Sequence, residues 1–318
     1  MVSTATTWDV NNIQTIPLML GGNVFGWTAD RAASFAVLDC FAAGGGTLID
    51  TADYYAAWVP GNRGGESERM IGEWLKASGR RDQMIIATKV GLLEGPAGNG
   101  LTAARIVEAA EDSLRRLQTD VIDIYFAHKD DPETPLEESL AAFDTLIRQG
   151  KVRAIGASNF TAERTRQALD VADANGLPRF QVIEPNYNLV VRQVYEGALQ
   201  KLTLAEGLKA VPFYGLGGGY LTGKYRTLAD LAGSAREIWL RPYLEGNGPA
   251  VLAVMDEIAA QTGRSLSDIA LAWVRGKPGV LAPIASATSV TQMEALLAGL
   301  EFRLTDEQEA LLDQAVPA

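Results

Sequence analysis

The chain carries one cysteine and one histidine in 318 residues, and each scarcity removes a class of chemistry. Cys40 alone cannot close an intramolecular disulfide. One Cys and one His together cannot supply the ligands of the usual zinc sites, so no metal site is expected. Long apolar runs are missing as well. No uninterrupted apolar segment reaches the roughly 18–20 residues that a membrane span requires. The stretch Met1–Trp8 lacks a basic segment followed by an apolar core, so no signal peptide is expected and a soluble, cytoplasmic protein is. Basic side chains are in short supply too: 28 Lys and Arg stand against 39 Asp and Glu, a net charge of −11. An acidic surface disfavours partners held by phosphate neutralisation, so neither nucleic acid nor an anionic membrane is an expected partner. One small phosphorylated ligand in a local basic pocket stays compatible with it.

What is present suits a large globular domain. The hydrophobic share of 47% is ordinary and allows a sizeable core. Cys40 sits in the helical apolar stripe Phe35–Ala42, where it reads as a small core residue. Short β-type runs alternate with longer amphipathic ones. Strands are expected at Leu18–Gly21, Thr47–Asp50, Met84–Thr88, Ile122–Phe126, Val152–Ile155, Phe180–Ile183, Ala210–Phe213 and Val280–Ile284. Helices with apolar residues at i, i+3, i+4 and i+7 are expected at Arg31–Ala43, Ser67–Ala77, Thr102–Leu117, Leu136–Gln149, Thr161–Asn175 and Val251–Thr262. Thr161 and Pro135 are start signals, and Gly44, Gly79, Gly150, Gly176 and Gly263 are stop signals.

Eight strands that each feed a helix, without a Pro- or Ser-rich linker, point to one domain over residues 1–318. Its fold class is α/β: a parallel, eight-stranded (β/α)8 barrel. An open doubly wound sheet is the second choice, but Gly21–Gly26 does not match the glycine fingerprint that should follow its first strand. The long Gly- and aromatic-rich segment Leu216–Gly248 is expected to build or cover an active site.

In a barrel, residues at the carboxyl ends of the strands share one mouth. Asp50 ends the second strand, Lys89 the third and His128 the fourth, and Tyr55 follows Asp50 by five positions. Together they make an acid–base apparatus. Lys89 beside the phenol is expected to lower the Tyr55 pKa, Asp50 to hold the ammonium, and His128 to orient a substrate oxygen or relay a proton. Singly, each has a plainer use as a strand-end cap or packing group, and Lys89 alone would also suit a Schiff-base lyase.

These residues resemble the aldo-keto reductase family. Asp50-Thr-Ala-Asp-Tyr-Tyr55 is similar to its D-T-A-x-x-Y signature, Ala87-Thr-Lys-Val-Gly91 to its lysine strand and Tyr125-Phe-Ala-His128 to its histidine strand. Gly65–Glu68, Gly150–Phe160, Leu221–Tyr225 and Ala270–Val274 extend the likeness over nearly the whole chain. The resemblance implies a barrel that moves hydride between a nicotinamide cofactor and the carbonyl of a small aldehyde, ketone or sugar. It casts Tyr55 as general acid, assisted by Lys89, Asp50 and His128. It also implies that Ser158, Asn159 and Gln181 hold the carboxamide, that Tyr214 stacks on the ring, and that Gly22, Asn23, Gly215, Leu216, Gly218 and Lys224 meet the dinucleotide. Gly218-x4-Gly223-Lys224 mimics a triphosphate loop, but Tyr225 replaces the Ser or Thr that such a loop needs.

The chain departs from the family where a 2′-phosphate is usually held. Ala285–Glu294 contains no Lys or Arg, and Ser286, Thr288 and Gln292 take the matching places. NADP(H) is the family expectation, with NAD(H) or dual use following from this departure. Trp27, Tyr54 and Trp58, with Tyr220 and Trp239 of the long segment, are the expected substrate walls. Regulatory subunits that bind the cofactor without catalysis are the alternative class; retention of all four polar residues favours the enzyme.

Overall fold

Alternation of apolar residues along each strand decides which side chains enter the barrel and which meet the helices outside it. The computed structural model describes residues 6–7, 14–234 and 236–316. Of the Met1–Trp8 stretch read for a leader, only Thr6 and Thr7 lie among them. Strands β1 (Thr6–Thr7) and β2 (Gln14–Thr15) pair as an antiparallel ribbon. Thr47 Oγ1 donates to Gln14 O at 3.3 Å, which ties that ribbon to the amino-terminal end of the barrel.

The barrel strands are β3 (Met19–Gly21), β4 (Leu48–Asp50), β5 (Ile85–Val90), β6 (Ile122–Ala127), β7 (Val152–Ser158), β8 (Val182–Glu184), β9 (Lys209–Ala210) and β10 (Ile284–Ala285). They pair in parallel in the order β10-β3-β4-β5-β6-β7-β8-β9. The sheet closes on itself: Leu281 N donates to Ala210 O and Ile284 N to Pro212 O, both at 2.8 Å. This is a (β/α)8 barrel. Pro212 and Pro283 lack the N–H that a ladder requires, so the last two strands are regular over only two residues each where four and five are expected.

Met19, Leu48, Ile85, Ala87, Ile124, Phe126, Val182 and Val211 fill the barrel interior as one buried cluster. Their neighbours Leu20, Ile49, Ile86, Tyr125 and Ile155 face outward into a second cluster shared with the helices. Those helices are α1 (Arg31–Ala43), α2 (Glu66–Ser78), α3 (Ala103–Leu117), α4 (Leu136–Arg148), α5 (Ala162–Asn175) and α6 (Ala198–Ala205), followed by α7 (Glu237–Glu245), α8 (Gly248–Thr262), α9 (Leu266–Gly276), α10 (Val290–Ala298) and α11 (Asp306–Ala315). Side-chain caps fix several of their starts: Asp30, Thr102, Thr161 and Ser265 each accept a backbone N–H three residues on. The segment Leu216–Gly248 is more ordered than a loop, holding two 3₁₀ turns (Gly217–Thr222, Leu228–Leu231) and α7. Among the described residues no helix is long and apolar enough to cross a membrane.

Candidate active site

Stepping by two along the strands carries four ionisable side chains into the carboxyl mouth. From interior Leu48 the step reaches Asp50, from Ala87 it reaches Lys89, from Phe126 His128, and from Val182 Glu184. All four are buried: Lys89 is 0% exposed, Asp50 1%, Glu184 3% and His128 8%. Tyr55 arrives from the turn after β4, which closes with Tyr55 N donating to Ala52 O at 3.3 Å.

Lys89 Nζ is the hub. It donates to the Tyr55 hydroxyl at 2.8 Å and to Thr51 O at 3.1 Å, and it forms a short ion pair with Asp50 Oδ1. Tyr55 OH donates to Asp50 Oδ2 at 2.9 Å. Glu184 Oε1 lies 3.4 Å from Lys89 Nζ, while Oε2 is buried with no hydrogen-bond partner among the described residues. The structure thus brings Asp50, Tyr55, Lys89 and His128 together, and adds a second carboxylate that the sequence reading passed over. That reading ended its sixth strand at Ile183 and took Gln181. Gln181 is an odd step from the interior series and lies exposed at the amino-terminal end of β8, remote from the mouth. One more residue of strand would have reached Glu184.

Burial first, then the Asp50 and Glu184 charges, push the Tyr55 phenol well above its ordinary value. The direction is opposite to the expected lowering, with loss of solvent the largest cause. Burial also raises the Glu184 carboxyl well above the carboxylate range, with the Asp50 charge adding and Lys89 opposing. Burial, then the Lys89 charge, hold His128 well below the usual imidazole value, so the ring is neutral. Its Nδ1 is buried without a partner among the described residues, and its ring centroid is 6.0 Å from that of Tyr55.

Behind the mouth a second polar layer fixes the Tyr55 turn. Arg105 Nη2 meets Asp53 Oδ2 at 3.1 Å, and its Nε donates to Leu93 O at 3.1 Å. Beside it, Glu68 accepts from Thr88 Oγ1 at 2.6 Å and pairs with Arg116 Nε at 2.5 Å. Thr51 Oγ1 donates to Ser67 Oγ at 2.7 Å, which donates to Gly22 O at 2.8 Å.

Of four non-glycine residues with left-handed backbone among the described residues, one, Gln118, caps α3; the other three rim the mouth. Ala56 (φ 69°) follows Tyr55, while Asn159 (φ 57°) and Tyr214 (φ 58°) follow the ends of β7 and β9. Such backbone is retained where the surrounding structure demands it. Asn159 Nδ2 donates to His128 O at 2.9 Å and to Ser158 Oγ at 3.1 Å, and Ser158 Oγ donates to Glu184 O at 3.1 Å. Gly217, Gly218 and Gly219 carry φ of 57°, 65° and 98°, a path open to glycine. Gly22 could not be larger, since a Cβ there would stand 2.8 Å from Ser67 Oγ and 2.9 Å from Asp50 O. Asn23 Oδ1 accepts from Ser286 Oγ at 2.7 Å, and Gln292 Oε1 from Thr288 N at 2.8 Å. Gly215 is buried, Leu216 half-buried and Lys224 exposed, with Lys224 Nζ 4.8 Å above the Tyr225 ring.

Trp27, Tyr54 and Trp58 form an aromatic wall beside Tyr55. Trp58 lies 5.5 Å from Trp27, 5.8 Å from Tyr54 and 6.2 Å from Tyr55, centroid to centroid. Its Nε1 is buried and has no hydrogen-bond partner among the described residues. Tyr220 is not part of a wall: it is fully buried in the core beside Tyr243. Trp239 lies 52% exposed on α7.

A buried acid–base cluster at the carboxyl end of a closed parallel barrel defines a class, the α/β-barrel enzymes that work on a ligand held over the mouth. Comparison with known proteins narrows the class. The profile of the aldo/keto reductase family matches residues 17–317. Protein tas of Escherichia coli (strain K12) is 32% identical, over 93% of this chain and 93% of its own. Aldo-keto reductase YhdN of Bacillus subtilis (strain 168) is 32% identical over 91% of this chain and 85% of its own. The aryl-alcohol dehydrogenase (NADP+) of Phanerodontia chrysosporium is 31% identical over 95% and 82%. The chain belongs to the aldo/keto reductase family. It is an NAD(P)H-dependent oxidoreductase of small-molecule carbonyls.

Proposed function

We propose that the enzyme reduces a planar carbonyl compound, with Tyr55 giving the proton to the carbonyl oxygen. The observation that carries this reading is the Lys89–Tyr55 hydrogen bond of 2.8 Å in a buried mouth. Burial keeps the phenol protonated before reaction, and the adjacent ammonium stabilises the phenolate left once the proton is given. Asp50 keeps Lys89 in place from the opposite side. Neutral His128 steers the oxygen by a ring N–H and is not the acid, since an imidazolium is disfavoured there.

A nicotinamide dinucleotide bound over the mouth supplies the hydride. The residues present suit it: three consecutive left-handed glycines, the strained Asn159 and Tyr214, and a buried unpartnered nitrogen on His128. Ser158 and Asn159 would take its carboxamide and Tyr214 would stack on its ring. Gly22, Asn23, Gly215, Leu216, Gly218 and Lys224 are the proposed contacts further along. Ser286, Thr288 and Gln292 would meet the adenosine end, with NADP(H) as the family's usual partner and NAD(H) use favoured by the absence of a cation. The walls of Trp27, Tyr54 and Trp58 suit a flat substrate, and the unpartnered Trp58 Nε1–H suits an acceptor on it.

Tyr55→Phe keeps the ring and removes the proton. Assayed by nicotinamide absorbance with 4-nitrobenzaldehyde as probe, it should lose at least about 100-fold in kcat, the scale of a general acid. Wild-type turnover in that variant would refute the assignment. Borohydride with the same aldehyde should trap no covalent adduct on Lys89; an adduct would favour a Schiff-base lyase.

A further inference from the structure

Two carboxylates, Asp50 and Glu184, face one ammonium in a space closed to solvent. They are not equivalent. Both Asp50 oxygens accept hydrogen bonds, one from Lys89 and one from Tyr55. Glu184 has one oxygen 3.4 Å from Lys89 and the other unpartnered. A buried carboxylate anion with an unsatisfied oxygen is costly, whereas a carboxylic acid there is not. When two like charges share such a site, one of them keeps a proton, and the bonding pattern puts it on Glu184. Asp50 is then the partner that balances Lys89.

We infer that Glu184 is a positioning residue for the reaction, acting through Lys89: neutral, it leaves the ammonium to stabilise the Tyr55 phenolate; ionised, it competes for that ammonium and weakens Tyr55 as an acid. The inference rests on Tyr55 being the proton donor. The groups that face Glu184 are Lys89 from β5, Asp50 from β4 and Tyr55 from the turn beyond it; His128, at the end of β6, senses the same ammonium. Burial raises the Glu184 carboxyl and the Asp50 charge raises it further, which moves its ionisation toward the working pH range. The Glu184 charge is in turn among those that raise the Tyr55 phenol, so the coupling is reciprocal. Reduction is therefore expected to slow as pH rises through the Glu184 ionisation.

The test pairs a spectroscopic with a kinetic readout. With glutamate labelled by 13C at the side-chain carboxyl, one resonance of the wild-type enzyme should titrate well above the ordinary carboxylate range and be missing from Glu184→Gln. Ordinary titration of every glutamate, or survival of the high resonance in the variant, would overturn the inference. The pH profile of kcat/KM for 4-nitrobenzaldehyde reduction should fall in wild type over that same titration, and Glu184→Gln should stay flat across it. A purely structural role would change the height of the profile and keep its shape, so an unaltered decline in the variant also overturns the inference. The wild-type NMR titration needs no variant, and so decides the matter even if Glu184→Gln fails to fold. Failure of the Tyr55 reading is seen separately, as turnover retained in Tyr55→Phe.

Discussion

At the scale of single residues, the mouth gains its chemistry from being dry. Lys89, Asp50 and Glu184 are each almost wholly buried, so any charge among them acts with little screening, and the protonation of Glu184 bears on the acidity of Tyr55. His128 stands apart from that balance. It touches neither Asp50 nor Glu184 by hydrogen bond, its ring is neutral, and its buried Nδ1 has no hydrogen-bond partner among the described residues. His128→Ala should therefore raise KM for the aldehyde and lower kcat, together costing about 1.5–3 kcal/mol of transition-state stabilisation, as for one lost hydrogen bond to a charged group. The nicotinamide dissociation constant, read by fluorescence titration, should stay within a few-fold. A loss of cofactor binding as large as the loss of rate would remove His128 from the substrate's side of the site.

At the scale of elements, most of the architecture was legible because strand and helix periods differ. The expected span Arg31–Ala43 coincides with α1, and the other expected helices end within a residue of those observed. Asp50, Lys89 and His128 were legible for the same reason, each closing an apolar run. Glu184 escaped because β8 begins two residues later than expected, at Val182, and ends one residue beyond the expected Ile183, while Gln181 came from the family resemblance and not from the strand period. Pro212 and Pro283 hid the short regular parts of β9 and β10. The burial of Tyr220 was also illegible, since a tyrosine in a glycine-rich stretch carries no periodic mark. The β10–α10 connection has its own consequence. No Lys or Arg occurs in Ala285–Glu294, and Thr288 and Gln292 bond to each other there. Without a charge-assisted bond worth about 1.5–3 kcal/mol, a 2′-phosphate gains little. Dissociation constants for NADPH and NADH should then lie within about 100-fold of each other, the scale of one or two such bonds. A preference for NADPH of several hundred-fold would point to a cation reaching that phosphate from another element.

At the scale of the whole molecule, the buried carboxyls make stability depend on pH in a defined direction. Burial, with the Glu68 charge adding and Arg105 and Arg116 opposing, raises Asp53 from 3.8 to about 8. Asp50 and Glu184 are raised as well. A carboxyl whose folded value exceeds its unfolded one holds its proton in the native state after the unfolded chain has lost it, so stability falls as pH rises between the two values. His128 acts the other way, because its folded value is depressed, but that contribution is complete above its unfolded value of 6.5. Asp131, lowered chiefly by hydrogen bonds from Leu101 and Thr134, has likewise given its full contribution above its unfolded value of 3.8. Between about pH 6.5 and 8 the raised carboxyls are thus left to set the slope, and the thermal unfolding midpoint should fall across that window. Asp53→Asn keeps an oxygen for Arg105 and removes the ionisation, so its midpoint should fall less steeply over the same window. Scanning calorimetry on both proteins measures the two slopes. A wild-type midpoint that rises toward pH 8, or a variant slope equal to that of wild type, would mean that Asp53 is already ionised in the native protein and held so by Arg105.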